Sequence, residues 1–245
     1  MLFASLFFTA GCFTAQQTAT QTKQTFTFDY TPKQTAKSGS VGMVVALLKP
    51  RYATDFQESA SNELFKSFQT ALGNDIEELI IGKGFTMKGP YQAFDEMVYA
   101  DKQRTDIAIQ IEISPQFTAV EGNWKSRLNF ALVGGSTTTW TYAGKLSLIG
   151  KINLSGIEPL THEKIWSKSV SIPNVENVAI QTSNRYERPL QGSEIYFDPG
   201  VYNAVGRALN AQYEGIMDKV AAHFNADEFM TLKNQIKELK SKKGF

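Results

Sequence analysis

The chain has 245 residues, enough for one large domain or two small ones, and 42% hydrophobic with 12% aromatic residues excludes wholesale disorder. Lys and Arg number 25 against 24 Asp and Glu, a formal charge of +1, so no basic field for nucleic acid exists. The single cysteine, Cys12, excludes an internal disulfide framework and a Cys-based zinc cluster, and two histidines, His162 and His223, leave little material for a catalytic triad. Met1 to Ala10 reads MLFASLFFTA, an uncharged apolar run followed by Gly11-Cys12. It falls short of the roughly 20 residues a bilayer-spanning helix needs, and has the length of a signal-peptide core. Small residues Ala10 and Gly11 before Cys12 resemble a bacterial lipobox, with Thr9 where leucine is usual. Residues 1–11 therefore read as a signal peptide and Cys12 as a lipidated thiol. Phe13 to Thr25, rich in Thr and Gln, reads as a flexible tether.

Residues 26–225 read as one α+β globular domain, an antiparallel or mixed sheet with helices packed on it and a helical pair closing the chain. Val41 to Leu48, VGMVVALL, suits a central strand covered on both faces. Asp55 and Glu58 suggest a capping box for a helix with Leu64, Phe65, Phe68, Leu72, Ile76, Leu79 and Ile80 on one face. Gly82 and Gly84 end it, and Phe85 to Met87 suggests a short strand. Residues 90–104 read as irregular, with Asp95, Glu96, Asp101 and Asp106 as solvated loop carboxylates.

Ile107, Ile109, Ile111 and Ile113 alternate with smaller or polar residues, the period of a half-buried strand. Tyr142 to Leu154 repeats that period, and a turn at Glu158 to His162 leads into a third strand through Trp166, Val170 and Ile172. His162 falls at the turn tip. Segment 173–200 reads as a long loop. Asp198-Pro199 then opens a helix lined by Val205, Leu209, Ile216, Met217, Val220 and Phe224. Residues 226–245 form a basic amphipathic helix carrying Phe229, Leu232, Ile236 and Leu239, whose Lys233, Lys237, Lys240, Lys242 and Lys243 read as a solvated face.

No nucleophile–base pair, metal spacing or dinucleotide fingerprint stands out, so the expectation is a protein that is not an enzyme and needs no cofactor. Two clusters set aromatics beside cations: Trp124, Lys125 and Arg127, and Arg185, Tyr186 and Arg188. A guanidinium can pair with the carboxylate of a sialylated glycan while an aromatic ring stacks on the sugar, so these six are the candidate glycan-binding residues. The competing reading is that Trp124 anchors a strand and the cations are solvated.

Several blocks resemble the neuraminyllactose-binding haemagglutinin family, outer-membrane lipoproteins of gastric bacteria with sheathed flagella. They are Phe28-Asp29-Tyr30-Thr31-Pro32, Val45 to Arg51, Lys83-Gly84-Phe85, Ile157-Glu158-Pro159 with Glu163, Ala208-Leu209-Asn210, Ile216-Met217, and Lys237-Glu238-Leu239-Lys240. The resemblance implies a lipid-anchored cell-surface adhesin of the outer membrane or flagellar sheath that binds sialylated host glycans. The family's basic Lys-Arg-Thr-Ile-Gln-Lys run has no counterpart between Pro115 and Arg127, which marks a divergent paralogue. The alternative is a non-catalytic structural or assembly lipoprotein of the outer membrane or sheath, with envelope proteins as partners.

Overall fold

A computed structural model describes residues 21–245 apart from 34, 58, 131–134 and 183–185, with the backbone alone at 119 and 120. In chain order the elements are β1 (Val44–Leu48), β2 (Arg51–Tyr52), α1 (Glu63–Gly82), β3 (Thr86–Tyr91), α2 (Tyr99–Gln103), β4 (Ile107–Phe130), β5 (Ser136–Ile157), β6 (Lys164–Gln181), α3 (Pro199–His223) and α4 (Ala226–Lys243). The strands form one sheet in the order β3-β1-β4-β5-β6, with β2 paired to β4. β1 is parallel to both its neighbours, whereas β4, β5 and β6 are antiparallel, so the sheet is mixed and the fold is α+β.

The unbroken apolar run of β1 follows from its central place. Val45 and Leu47 face the main core under the helices, while Ala46 and Leu48 join Met97 and Ala108 in a smaller cluster on the opposite face, with Tyr91 and Phe94 against it. The isoleucines of β4 supply only the main core, because on that strand the intervening Gln110 and Glu112 are partly solvated. α1 begins later than the Asp55–Glu58 pattern suggests. Asn62 is its N-cap, its side chain accepting from Leu64 N at 3.0 Å, and a 3-10 turn at Thr54–Phe56 precedes it. Glu58 lies outside the described residues. Residues 90–104, expected to be irregular, include a 3-10 turn (Phe94–Glu96) and α2. The polar segment after Ile172 is also more regular than expected, since β6 continues to Gln181 and a 3-10 turn occupies Gly192–Phe197.

Two helix starts agree with the sequence. Asp198 caps α3 by accepting from Gly200 N at 2.7 Å, with Pro199 at the first helical position, and Asn225 caps α4. Of the five α4 lysines, Lys237 and Lys242 are exposed as expected, whereas the other three are drawn into ion pairs. Lys233 pairs with Asp106 at 3.7 Å, Lys243 with Glu163 at 2.8 Å, and Lys240 reaches the wholly buried Glu158 at 3.3 Å while donating to Thr105 O. Together with Phe229, Leu232 and Ile236 in the core, these pairs clamp α4 to the β5–β6 turn and the start of β4.

The described N-terminal segment runs alongside α3 in the same direction. Gln24 N donates to Asn203 Oδ1 at 2.8 Å, Asn203 Nδ2 donates to Thr22 O at 2.9 Å, and farther on Tyr30 OH and Lys33 Nζ both donate to Asp218. The helical rise from Asn203 to Asp218 is about 22 Å and the extended reach from Gln24 to Tyr30 about 20 Å, so segment and helix stay in step. Residues 22–24, expected to lie in a free tether, are thus fixed to the body.

Candidate functional site

In a strand, sequence neighbours point to opposite faces, and this decides the geometry of the first aromatic–cation cluster. Trp124, Lys125 and Arg127 lie on β4, paired with Tyr142, Thr141 and Thr139 of β5. A register shift between Ala119 and Glu121 brings the even-numbered residues beyond it onto the core side. Trp124 therefore packs on Tyr142, ring centroids 5.2 Å apart, while Lys125 and Arg127 occupy the other side of the ribbon, exposed. The ring of Tyr142 lies over Gly122, where any side chain would collide with it.

Tyr186 forms a backbone bridge to Trp140, and its hydroxyl donates to Asp198 at 2.7 Å. That contact ties the chain before the Gly192–Phe197 turn to the start of α3. Arg188 is engaged internally: its guanidinium grips Glu194 through two bonds of 2.9 and 2.8 Å, and also donates to Pro189 O. Glu194 in turn accepts from Gln191 N and caps the turn. The Arg188 bond, followed by that of Gln191, pulls the Glu194 carboxyl down to about 2. The support this group gives is present above its ordinary value of 4.5 and is lost as pH falls toward 2. Cys12 and Arg185 lie outside the described residues. The five described candidate glycan residues therefore do not form one patch: Trp124 and Tyr186 serve packing, Arg188 is paired, and Lys125 and Arg127 stand apart on the ribbon's far face.

His162 is exposed at its turn with φ 61°, its ring centroid 4.7 Å from that of Phe94. Asp95 is exposed as expected, whereas the other three loop carboxylates hold local structure. Asp101 accepts from Lys88 and Tyr91, and the Lys88 bond is the chief reason its carboxyl is held below the ordinary value. Asp106 accepts from Val44 N at 2.8 Å, and Glu96 from Gln92 N at 2.6 Å. Among the described residues no cluster of His, Cys, Asp and Glu is arranged to hold a metal ion.

A cleft of about 430 Å³ of mixed lining lies at the carboxyl ends of β1 and β3, where sequence reasoning proposed no site. It is lined by Lys49, Arg51, Gln69, Asn74, Gln92 and Pro90, among others. The topology explains its position. The chain leaves β1 through α1 on the main-core face and leaves β3 through the Phe94–Glu96 turn on the opposite face, so the connections diverge and open a crevice between adjacent parallel strand ends. Gln69 of α1 donates to Pro50 O and fixes one wall. Arg51 is 3.6 Å from Glu112, whereas Lys49 has no acidic partner among the described residues. Two cations and three side-chain amides can together receive a carboxylate and the hydroxyls beside it. The signal in the sequence was Lys49-Pro50-Arg51 directly after the buried run of β1.

The sequence matches no protein-family profile and no curated protein. The fold does have relatives among solved structures. A protein described as a neuraminyllactose-binding hemagglutinin homolog from Helicobacter pylori superposes with a TM-score of 0.54 at 13% identity, over 87% of this chain and 98% of that one. A hypothetical protein of Chlamydia trachomatis gives 0.32 at 14% identity, covering 76% and 96%, and a lipoprotein of Neisseria meningitidis gives 0.26 at 9%, covering 67% and 99%. The first likeness establishes a shared fold, and the other two superpose only loosely.

Proposed function

We propose that this chain is a non-catalytic, lipid-anchored bacterial surface protein, held by an acylated Cys12, that binds sialylated glycans as an adhesin of the outer membrane or flagellar sheath. The fold shared with the hemagglutinin homolog supports this reading, as does the apolar leader ending at a cysteine. The observation that carries the binding assignment is the cleft between β1 and β3, where Lys49, without an acid partner among the described residues, stands beside Arg51. The sugar carboxylate would lie on the two cations, with Gln69, Asn74 and Gln92 taking ring hydroxyls.

Titration of sialyllactose into the full chain, its lactose counterpart serving as control, tests the assignment. The Lys49→Ala/Arg51→Ala double variant should weaken sialyllactose binding at least about a hundredfold, because charge-assisted bonds are worth about 1.5–3 kcal/mol each. Arg127→Ala combined with Arg188→Ala should leave it unchanged. If the wild-type chain ignores sialyllactose altogether, the adhesin reading fails and the alternative of an envelope lipoprotein with protein partners takes its place. Palmitate labelling against a Cys12→Ala control tests the anchor separately, and equal label in both proteins would exclude it.

A further inference from the structure

The far end of the β4–β5 ribbon has no part in the cleft and departs from the rest of the surface. Among the described residues its last lateral backbone pairing is the Trp140–Tyr186 bridge; the paired strands then continue from Ser126–Trp140 to Phe130–Ser136, about 13 Å further. On this projecting stretch Phe130 is 81% and Leu128 49% exposed, the former the most exposed large apolar side chain of the described residues. The sequence from Gly122 to Gly144 contains Lys125 and Arg127 and no acid. Among the described side chains, the apolar Phe130 and Leu128 stand out from Asn129, Ser136, Thr137 and Thr138 at the same level, with two exposed cations and the rings of Trp124 and Trp140 behind them. That order matches a bilayer boundary, where apolar groups enter the acyl region and cations and tryptophans settle at headgroup depth.

The path of the chain gives the direction. Asp198, which caps α3, holds Tyr186, and Tyr186 bridges Trp140, so the start of α3 lies at the level where the ribbon leaves the body. Read backwards from Tyr30 to Thr22, the N-terminal segment climbs α3 toward that start. Lys23 lies over the rings of Phe197 and Tyr202 there, at 5.8 and 5.1 Å, and Phe197 is itself exposed. The described chain therefore begins at the end of the molecule from which the ribbon projects.

We propose that the ribbon tip, with Phe130 and Leu128 leading and Lys125 and Arg127 behind, docks into an anionic lipid surface as a second membrane contact beside the tether. The charge selects the partner: two cations and no acid match acidic headgroups, and one lipid attachment is commonly reinforced by a basic patch. The shared orientation rests on the Cys12 anchor proposed above. The lipid contact itself does not, and can be measured without acylation.

The test uses the full chain carrying Cys12→Ala, with a single cysteine introduced by Phe130→Cys or, at the other end of the molecule, by Lys242→Cys. Each is labelled with an environment-sensitive fluorophore and mixed with vesicles of phosphatidylglycerol and phosphatidylcholine, or of phosphatidylcholine alone. The expected result is a blue shift at position 130 on the anionic vesicles, a much smaller one on neutral vesicles, and none at position 242. Leu128→Ser with Phe130→Asp, made in the same Cys12→Ala chain, should cut partition into anionic vesicles roughly tenfold or more. The leader is common to all variants and cancels from the comparison. The proposal is overturned if position 130 does not shift, if position 242 shifts equally, or if the tip variant partitions like its parent. A concentration-dependent shift at position 130 without vesicles also overturns it and identifies a second copy as the occupant. Equal palmitate label in the wild-type chain and its Cys12→Ala variant would count against the anchor alone.

Discussion

The β4–β5 ladder runs from Ala108–Ile157 to Phe130–Ser136, interrupted by one register shift between Ala119 and Glu121, and it passes through two environments. In the near half, Ile109, Ile111, Ile113, Ile152 and Leu154 are fully buried beneath helices. In the far half, Arg127, Leu128, Phe130 and Ser136 to Thr138 are exposed, and the polar Thr and Ser residues there have no core to face. Pairing geometry alone therefore does not produce a core. The near half is held by what covers it, while the far half is held at its root, where Tyr142 N donates to Thr182 Oγ1 at 2.6 Å and Trp140 bridges Tyr186. A two-stranded ribbon is marginal by itself in water, so such a root is what keeps the projection paired.

Four substitutions with urea unfolding sharpen that contrast. Ile111→Ala in the near half should cost about 2–5 kcal/mol through lost burial and a residual cavity. At the adjoining β5–β6 turn, Lys240→Met strips the cation from the buried Glu158, which keeps bonds from Leu160 N and Thr161 N; a loss of about 2–4 kcal/mol is expected. Thr182→Val at the root leaves a buried amide without its acceptor and should cost about 1–2 kcal/mol, with faster amide exchange confined to the far half. Leu128→Ala at the tip should change stability by less than about 0.5 kcal/mol. A tip variant as damaging as Ile111→Ala would break the contrast between the halves.

A smaller effect depends on pH. Asp75 is buried and accepts from Tyr213 OH at 2.5 Å; desolvation raises its carboxyl above the ordinary value, outweighing the opposing Tyr213 bond. With a raised folded value, the native state keeps a proton that the unfolded chain has released, so stability falls as pH rises from 3.8 to that folded value. Asp75→Asn should flatten this part of the stability–pH curve, and Tyr213→Phe should steepen it.

Much of the fold was legible because periodicity reports burial. The isoleucines of β4, the unbroken run of β1 and the helix starts at Pro199 and Ala226 all translate directly into structure. What escaped was governed by partners distant in sequence. Lys233, Lys240 and Lys243 read as solvated because Asp106, Glu158 and Glu163 lie far away along the chain. Residues 173–181 carry no clear apolar period because two register shifts interrupt their pairing, yet Val175 and Val178 meet Leu148 and Leu146 of β5 and pack with Ile180 against the main core. The candidate site was harder still. Neighbouring Trp124 and Lys125 look like one cluster until the strand directs them to opposite faces, and the engagement of Arg188 depends on Glu194. The cleft beside Lys49 needed the sheet order, since only parallel neighbours with diverging exits create it.

The strap along α3 also determines how the body responds to mechanical load. A pull delivered from upstream of Thr22 acts along the segment's own axis, so the bonds at Asn203 and Asp218 are strained in shear together instead of peeling one after another. Phe28, wedged between Phe68 and Tyr213 with centroids 5.2 and 5.4 Å away, would have to slide through the core before the strap could come free. Tension entering upstream of Thr22 would thereby pass into the aromatic core between α1 and α3.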